Sequence, residues 1–373
     1  MVEFPKQNRS MALRILVVGL LISACGANNG TPGAMQSSGS SDANHLTDPK
    51  LLKAGSVELV LAKEGLFSVS GGHLIHVSNL PANGTSWAAT GTQPSQLVLA
   101  VADGNTTVNV FRSTNGGDSW ASAGSKSIDS PFGIASVHVA SQGSRIFVLA
   151  DENSNTNFSY GTMVVSSDSG ATWTSVRAPA GGEIAAVNGS VWLVGGVIRK
   201  EVWTSSDGSK WQSVKIPVAS TDWSAGLPVA VTGLGVFVPV TSHDAATGDQ
   251  VTFWSSQDDG KTWKPAGTPV GAVGQLMGSG TAMVVSITSD GNWFVVGADV
   301  SKIYSGTFGD PSTKNIVSPN GLPGGLAAVS FLSSGDGVGL STTGSCPSGK
   351  DSCTSSVMIV HTPDGGQTWT VVS

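Results

Sequence analysis

Charge is scarce in this chain of 373 residues. Asp, Glu, Lys and Arg together make up 12%, about half the usual share, so Ser, Thr, Asn and Gly must cover much of the surface. The net charge of −6 lacks the basic footprint that a nucleic-acid partner requires. Tyrosine is rarer still: Tyr160 and Tyr304 are the two phenols, which restricts any chemistry that needs one as nucleophile. Cysteine numbers three, too few for a Cys-only zinc site. No apolar run reaches the ~20 residues of a transmembrane helix, and amphipathic helical periodicity is missing throughout. No phosphate loop, Ser-His-Asp signature or dinucleotide fingerprint occurs, so no cofactor and no metal is expected. Glycine, by contrast, is abundant at 49 residues, set among short alternations of Val, Ser and Thr that favour strands and turns.

One turn motif recurs five times. The copies are Ser113-Thr-Asn-Gly-Gly-Asp-Ser-Trp120, Ser166-Ser-Asp-Ser-Gly-Ala-Thr-Trp173, Ser205-Ser-Asp-Gly-Ser-Lys-Trp211, Ser256-Gln-Asp-Asp-Gly-Lys-Thr-Trp263 and Thr362-Pro-Asp-Gly-Gly-Gln-Thr-Trp369. The shared pattern is Ser/Thr-x-Asp-x-Gly-x-x-Trp, with Asn115 replacing Asp once and the third copy one residue short. An apolar run precedes each copy and a short Thr- or Ser-rich run follows, which reads as strand, turn, strand. An Asp at the turn start can accept a backbone N–H two residues on, and Gly supplies the positive φ of a tight reversal. The Trp then buries a large apolar area while its indole N–H seeks a carbonyl. Asn115, Gly117, Trp120, Asp168, Gly170, Trp173, Asp207, Trp211, Asp258, Gly260, Trp263, Asp364, Gly366 and Trp369 are accordingly read as structural.

These residues resemble the Asp-box, or bacterial neuraminidase repeat, family of β-propellers. The resemblance covers residues 55–373 and implies an all-β fold of four-stranded antiparallel blades. The motif tryptophans recur at intervals of 53, 38, 52 and 106 residues, and the last interval is twice the first, so one unit there has lost its motif. Repeats of ~40–50 residues are blade-sized. The four-strand pattern laid over the whole chain gives a seven-bladed β-propeller over residues 51–373. The first unit, about 55–91, keeps Ser86-Trp87 without the Asp. The sixth, about 270–318, turns through Asp310-Pro311.

Residues 1–24 read as a lipoprotein signal peptide. Lys6, Arg9 and Arg14 precede the short apolar core Ile15–Ile22, and Ile22-Ser-Ala-Cys25 matches a bacterial lipobox, which makes Cys25 the lipidated residue. Residues 25–50 are poor in large apolar side chains and read as a flexible tether. Lipid on Cys25 would anchor the domain to the membrane without a transmembrane helix, outside the cytoplasm. Without residues 1–24 the chain keeps 16 basic and 24 acidic side chains, a net of −8. Cys346 and Cys353 flank a six-residue loop, and in an oxidising compartment they are expected to pair as a disulfide.

In a four-strand meander running from inner strand a to outer strand d, the a–b and c–d turns share one face. The b–c loops and the crossings to the next blade share the other. The repeated motifs are c–d turns, so ligands are expected on the opposite, loop face. Long segments there are Asp151–Tyr160 in blade 3, Ser242–Asp249 in blade 5 and the cysteine loop in blade 7. Blade 4 adds Arg199-Lys200-Glu201, and the crossing into blade 5 holds Thr221-Asp-Trp-Ser224. Long loops on a rigid scaffold are where function tends to sit. The candidate ligand-binding residues are Asp151, Glu152, Tyr160, Arg199, Asp222, Trp223, His243 and Asp244; Trp223 could equally wedge between blades.

The family resemblance invites a sialidase reading, whose chemistry needs three arginines, a Tyr paired with Glu, and an Asp. After residue 24 the chain has four arginines, Arg112, Arg145, Arg177 and Arg199, and none precedes Ile-Pro. Arg145 opens strand b and Arg177 lies in strand d, so both are expected to miss a common site. A xyloglucanase-type hydrolase would need two carboxylates flanking the scissile bond, for which Asp151, Asp222 and Asp244 are available. Two metal readings fail on geometry: His73 and His76 alternate across a strand, and Asp258 is occupied by its turn. The sequence therefore points to an exported, membrane-anchored, monomeric propeller that binds a protein or glycan without catalysis. A sialidase-like or xyloglucanase-like glycoside hydrolase is the alternative.

Overall fold

The structure is a computed structural model. It describes residues 46–47, 49–54, 57–77, 84–93, 95–153, 160–196, 200–221, 223–244, 248–271, 285–297, 302–345 and 354–373. These residues form seven antiparallel sheets, each built from consecutive strands, and the sheets are the blades of a seven-bladed β-propeller. The blades span Lys50–His76, Ser86–Ser127, Ile134–Arg177, Gly182–Val214, Trp223–Gly271, Val285–Val317 and Gly325–Val371. Blade 5 departs slightly from four clean strands. Its inner strand is split into Trp223–Ala225 and Val229–Val231, and its outer strand into Lys264–Pro265 and Val270–Gly271.

Burial falls from the middle of each blade outward. Strand b of blade 2, Gln96–Ala102, is buried at every residue after the first, because both of its faces pack on neighbouring blades. Outer strand d, Ala121–Ser127, is exposed or half-buried throughout. The apolar core is divided into seven clusters, and each is shared by two consecutive blades. The last joins blade 7 to blade 1 through Val338, Leu340 and Ile359 on one side and Val60, Ala62 and Phe67 on the other. Leu46 packs on this cluster and Thr47 N–H bonds the Glu64 carboxylate at 2.9 Å, so residues assigned to the tether already belong to the packed fold.

The repeated turns connect strands c and d. In blade 5 the Ser256 hydroxyl donates to Asp258 Oδ1 (2.8 Å) and accepts the Gly260 N–H (2.8 Å). Asp258 accepts both the N–H and the hydroxyl of Thr262, at 2.8 and 2.6 Å. Blades 3 and 7 repeat this network with Ser166, Asp168, Thr172 and with Thr362, Asp364, Thr368. The carboxylate thus closes a four-residue reach rather than the two-residue one expected from sequence. The two-residue bond appears in the shortened turn of blade 4, from Ser209 N–H to Asp207. The opening hydroxyl residue is at most 3% exposed in all five copies, so its bonds are made in a dry site.

Each network carries an aromatic ring into the seam with the preceding blade. Trp120, Trp173, Trp211, Trp263 and Trp369 pack into the seams 1–2, 2–3, 3–4, 4–5 and 6–7. The indole N–H of Trp120, Trp263 and Trp369 bonds the glycine carbonyl of its own turn at 2.9–3.0 Å. That of Trp173 instead reaches Ala123 O of blade 2 at 3.2 Å. The glycine is required twice over. Gly260 has φ +88, and a Cβ there would lie 2.5 Å from the Trp192 ring of blade 4.

Three details differ from the sequence reading. Ser86-Trp87 opens strand a of blade 2 rather than closing blade 1, because blade 1 ends in a short hairpin at Gly71-Gly72 and needs only residues 50–76. The c–d turn of blade 6 is Phe308-Gly309, with Asp310-Pro311 already in the outer strand. Phe308 takes the place of the missing Trp in seam 5–6, stacking on Phe237 at 4.0 Å. A sixth copy of the hydroxyl–carboxylate pair, Thr288 with Asp290, sits on the a–b turn of blade 6, ahead of the buried Trp293.

These bonds hold the turn carboxyls below the ordinary value of 3.8. Asp168 and Asp258 fall to about 2, chiefly through the hydroxyls of Thr172 and Thr262. Asp207 is lowered mainly by the Lys210 N–H, and Asp364 mainly by the Thr368 hydroxyl. A carboxyl whose pKa is lower in the folded state stabilises fully above its unfolded value and loses that contribution as pH falls through the folded one. The urea midpoint should therefore hold steady down to about pH 4 and drop between about pH 4 and 2. The Asp168→Asn/Asp258→Asn variant should start lower at neutral pH and drop less; an equal drop in the variant would refute the assignment.

Candidate functional site

Strands b and d run toward the loop face, and in blade 3 their ends bring four polar side chains together. Glu152 closes strand b, Tyr160 opens strand c opposite it, and Thr162 lies opposite Arg177 at the end of strand d. Directly opposed residues share a sheet face, so the four gather on one side. Glu152 Oε1 accepts the Thr162 hydroxyl at 2.8 Å and Arg177 Nη1 at 2.9 Å. The Glu152 side chain is 6% exposed and that of Arg177 is 55% exposed. The Arg177 guanidinium carbon stands 4.8 Å from the Tyr160 ring centroid, within cation–π range. Tyr160 is 40% exposed.

Asp151, one residue earlier, faces the next blade. Its Oδ1 accepts the Gly182 N–H at 2.9 Å. Its Oδ2 accepts the Ser136 hydroxyl at 3.0 Å and lies 3.5 Å from His138 Nε2. A register shift at Asp151/Glu152 bends the strand end, a usual device for re-aiming side chains at a rim. Both carboxylates are therefore engaged internally, Asp151 across a blade seam and Glu152 within its sheet. Beside them the crossing from blade 2 exposes Phe132, whose carbonyl accepts Asn153 Nδ2 at 3.1 Å.

Arg177 corrects the sequence reading: strand d ends on the loop face, so its last residue reaches the site, as strand direction alone implies. Arg112 and Arg145 are on the opposite face. Arg112 bonds Ser169 O at 3.5 Å, and Arg145 bonds Ser206 O at 2.6 Å and Gly189 O at 3.1 Å, each in the next blade. Arg199 lies outside the described residues, as do Asp222, Cys25, Cys346 and Cys353. His243 and Asp244 end strand b of blade 5, but their side chains are not among those described. Trp223 opens blade 5 and packs into seam 4–5. Tyr304 packs into seam 5–6. Among the described residues no group of three or more His, Cys, Asp or Glu is placed to hold a metal ion. Phe132, Thr162, Ser136 and His138 were not anticipated, because each joins the site through register and crossing geometry rather than through a motif.

No protein-family model matches this chain, and no curated protein is similar to it in sequence. Solved structures resemble it in fold. It resembles a puromycin hydrolase (S511A mutant, complexed with PGG) with TM-score 0.55 and 11% identity, over 89% of this chain and 54% of that one. This chain thus spans about half the length of that hydrolase, and the likeness is one of fold alone. YCF48 bound to D1 peptide aligns over 78% of this chain and 82% of its own, with TM-score 0.46 and 16% identity. The GH74 xyloglucanase of Xanthomonas campestris aligns over 88% and 67%, with TM-score 0.39 and 14% identity.

The two engaged carboxylates should differ in stability cost. Asp151→Ala leaves the Gly182 N–H and Ser136 hydroxyl without their acceptor and should cost about 1–3 kcal/mol. Arg177→Ala alone would strand the buried Glu152 carboxylate. The double variant Glu152→Gln/Arg177→Ala removes both charges, keeps an acceptor for the Thr162 hydroxyl and should cost no more than about 1 kcal/mol. Urea unfolding of Asp151→Ala and of the double variant checks the ranking, and a reversed order would contradict the roles given to them.

Proposed function

We propose that this chain is an Asp-box propeller that serves as a non-catalytic binding or scaffold module outside the cytoplasm. In this reading Cys25 is lipidated and anchors it to the cell envelope, residues up to 45 tether it, and Cys346 pairs with Cys353. The observation that carries the non-catalytic reading is the engagement of Asp151 and Glu152. A glycosidase needs one carboxyl to donate a proton and a second to act as base or nucleophile across the scissile bond. Here the two neighbours serve a blade seam and an internal ion pair instead. What is left to a ligand is a contact surface of Phe132, Tyr160 and the outward side of Arg177, aromatic and cationic in the manner of binding hot spots.

One observation favours the hydrolase alternative: Tyr160 stands opposite Glu152 beside an arginine, as the sialidase resemblance would require. Arg112 and Arg145 cannot complete that set, because they lie on the other face.

A glycan array with the protein spanning residues 46–373, each hit followed by a hydrolysis assay, separates the readings. A photo-crosslinker placed at position 132 or 160 in the native envelope covers a protein ligand. The expected result is either an uncleaved glycan whose binding Tyr160→Ala removes, or a protein crosslinked from those positions and not from position 259 on the opposite face. Cleavage of a bound glycan would overturn the non-catalytic reading.

A further inference from the structure

Blade 4 carries a second feature, on its outer edge and separate from the blade 3 surface. Its outermost strand, Gln212–Val214, ends its sheet, so one row of its main-chain N–H and C=O groups faces outward. Beside this strand, at its loop-face end, opens a cleft of about 360 Å³, within the size range of ligand pockets. Its apolar floor includes Val202, Ile216 and Trp223, the first two buried and the indole half-buried. Three of its nine lining residues are charged, Lys200, Glu201 and Lys215, against 12% of the whole chain.

The charges are not evenly placed. Glu201 lies over Gly196 at the end of strand b, where a Cβ would meet its carboxylate carbon at 3.1 Å, so its charge sits inboard. Lys215 is exposed directly after the edge strand. Lys200 donates to Thr221 O of the crossing, which fixes its ammonium at the cleft while two N–H donors remain for another acceptor. The outer rim is therefore cationic on a protein whose net charge is −6.

An open sheet edge, an apolar slot and a cationic rim together match one kind of occupant. Main-chain bonds to a sheet edge give affinity, and pockets for alternate side chains give specificity. We propose that the outer edge of blade 4 binds an extended acidic peptide by strand addition. One aliphatic or aromatic side chain fills the slot on Val202, Ile216 and Trp223, and a neighbouring Asp or Glu meets Lys215 and Lys200. This site is independent of the surface around Tyr160.

Selection of a phage-displayed library of random peptides on the whole protein tests it. The expected winners combine an acidic residue with a large apolar one. They should bind the Lys200→Gln/Lys215→Gln variant at least about tenfold more weakly and the Tyr160→Ala variant unchanged. Lys215→Glu alone, at an exposed position, gives the same direction without touching the bond to Thr221. Main-chain pairing is read separately by N-methylating a winning peptide at alternate residues: one register should keep binding and the other lose it. No enrichment, winners without acidic residues, equal binding to the lysine variants, or indifference to both methylation registers would each overturn the proposal. Loss of binding in Tyr160→Ala would place these peptides on blade 3 instead.

Discussion

The fold rests on how a blade grips the blade before it, and in six of the seven seams the grip is a ring delivered by a c–d turn. A buried hydroxyl holds a carboxylate, the carboxylate fixes the turn, and the turn delivers an indole into the adjacent seam. Each buried ring removes a large apolar area from water, but that area is gained only if the turn is rigid enough to aim it. The glycine then lets the neighbouring blade approach until Trp192 nearly touches the backbone at Gly260. Sheets that share no strand thereby act as one disc.

The ring is closed differently at its ends. Seam 7–1 has no aromatic from a c–d turn, because blade 1 turns through Gly71-Gly72. Instead the buried Glu58 accepts the Ser330 hydroxyl at 2.6 Å, and Ser373 exchanges main-chain bonds with Gly72 and Leu74 at 3.2 and 3.1 Å. A polar bond in a dry seam is strengthened by the low local dielectric and costly to break. Blade 6 shows that the ring matters more than the motif: Phe308 fills the seam with no carboxylate in its c–d turn.

Legibility in the sequence followed the same division. The fold was readable because five turns repeat, each closed by a Trp, and a blade count of seven followed from laying the four-strand pattern over the whole chain. The limits of blade 1 were not readable, since Ser86-Trp87 imitates a motif end and only the pairing of residues 50–76 shows the earlier blade to be complete. The box-like Thr288-Asp290 pair is hard to read because it sits on the a–b turn, where no Trp follows at the motif's spacing. On the loop face, Asp151, Glu152 and Tyr160 stand out in sequence as members of a long loop, whereas Arg177 reads as a strand residue. Its position depends on strand direction and cross-strand register, and neither leaves a local mark in the chain. A carboxylate engaged across a seam, as Asp151 is with Gly182, looks the same in sequence as one available for chemistry.

The most direct test of the seam account is a double-mutant cycle between Trp263, the ring delivered by the blade 5 turn, and Trp192 of blade 4. Their rings meet edge to face, with centroids 6.2 Å apart at 85°. With each replaced by Leu, alone and together, urea unfolding should show a coupling of roughly 0.5–1.5 kcal/mol. Costs that add to within about 0.3 kcal/mol would mean the rings are stabilised within their own blades, and the grip between blades would have to come from elsewhere.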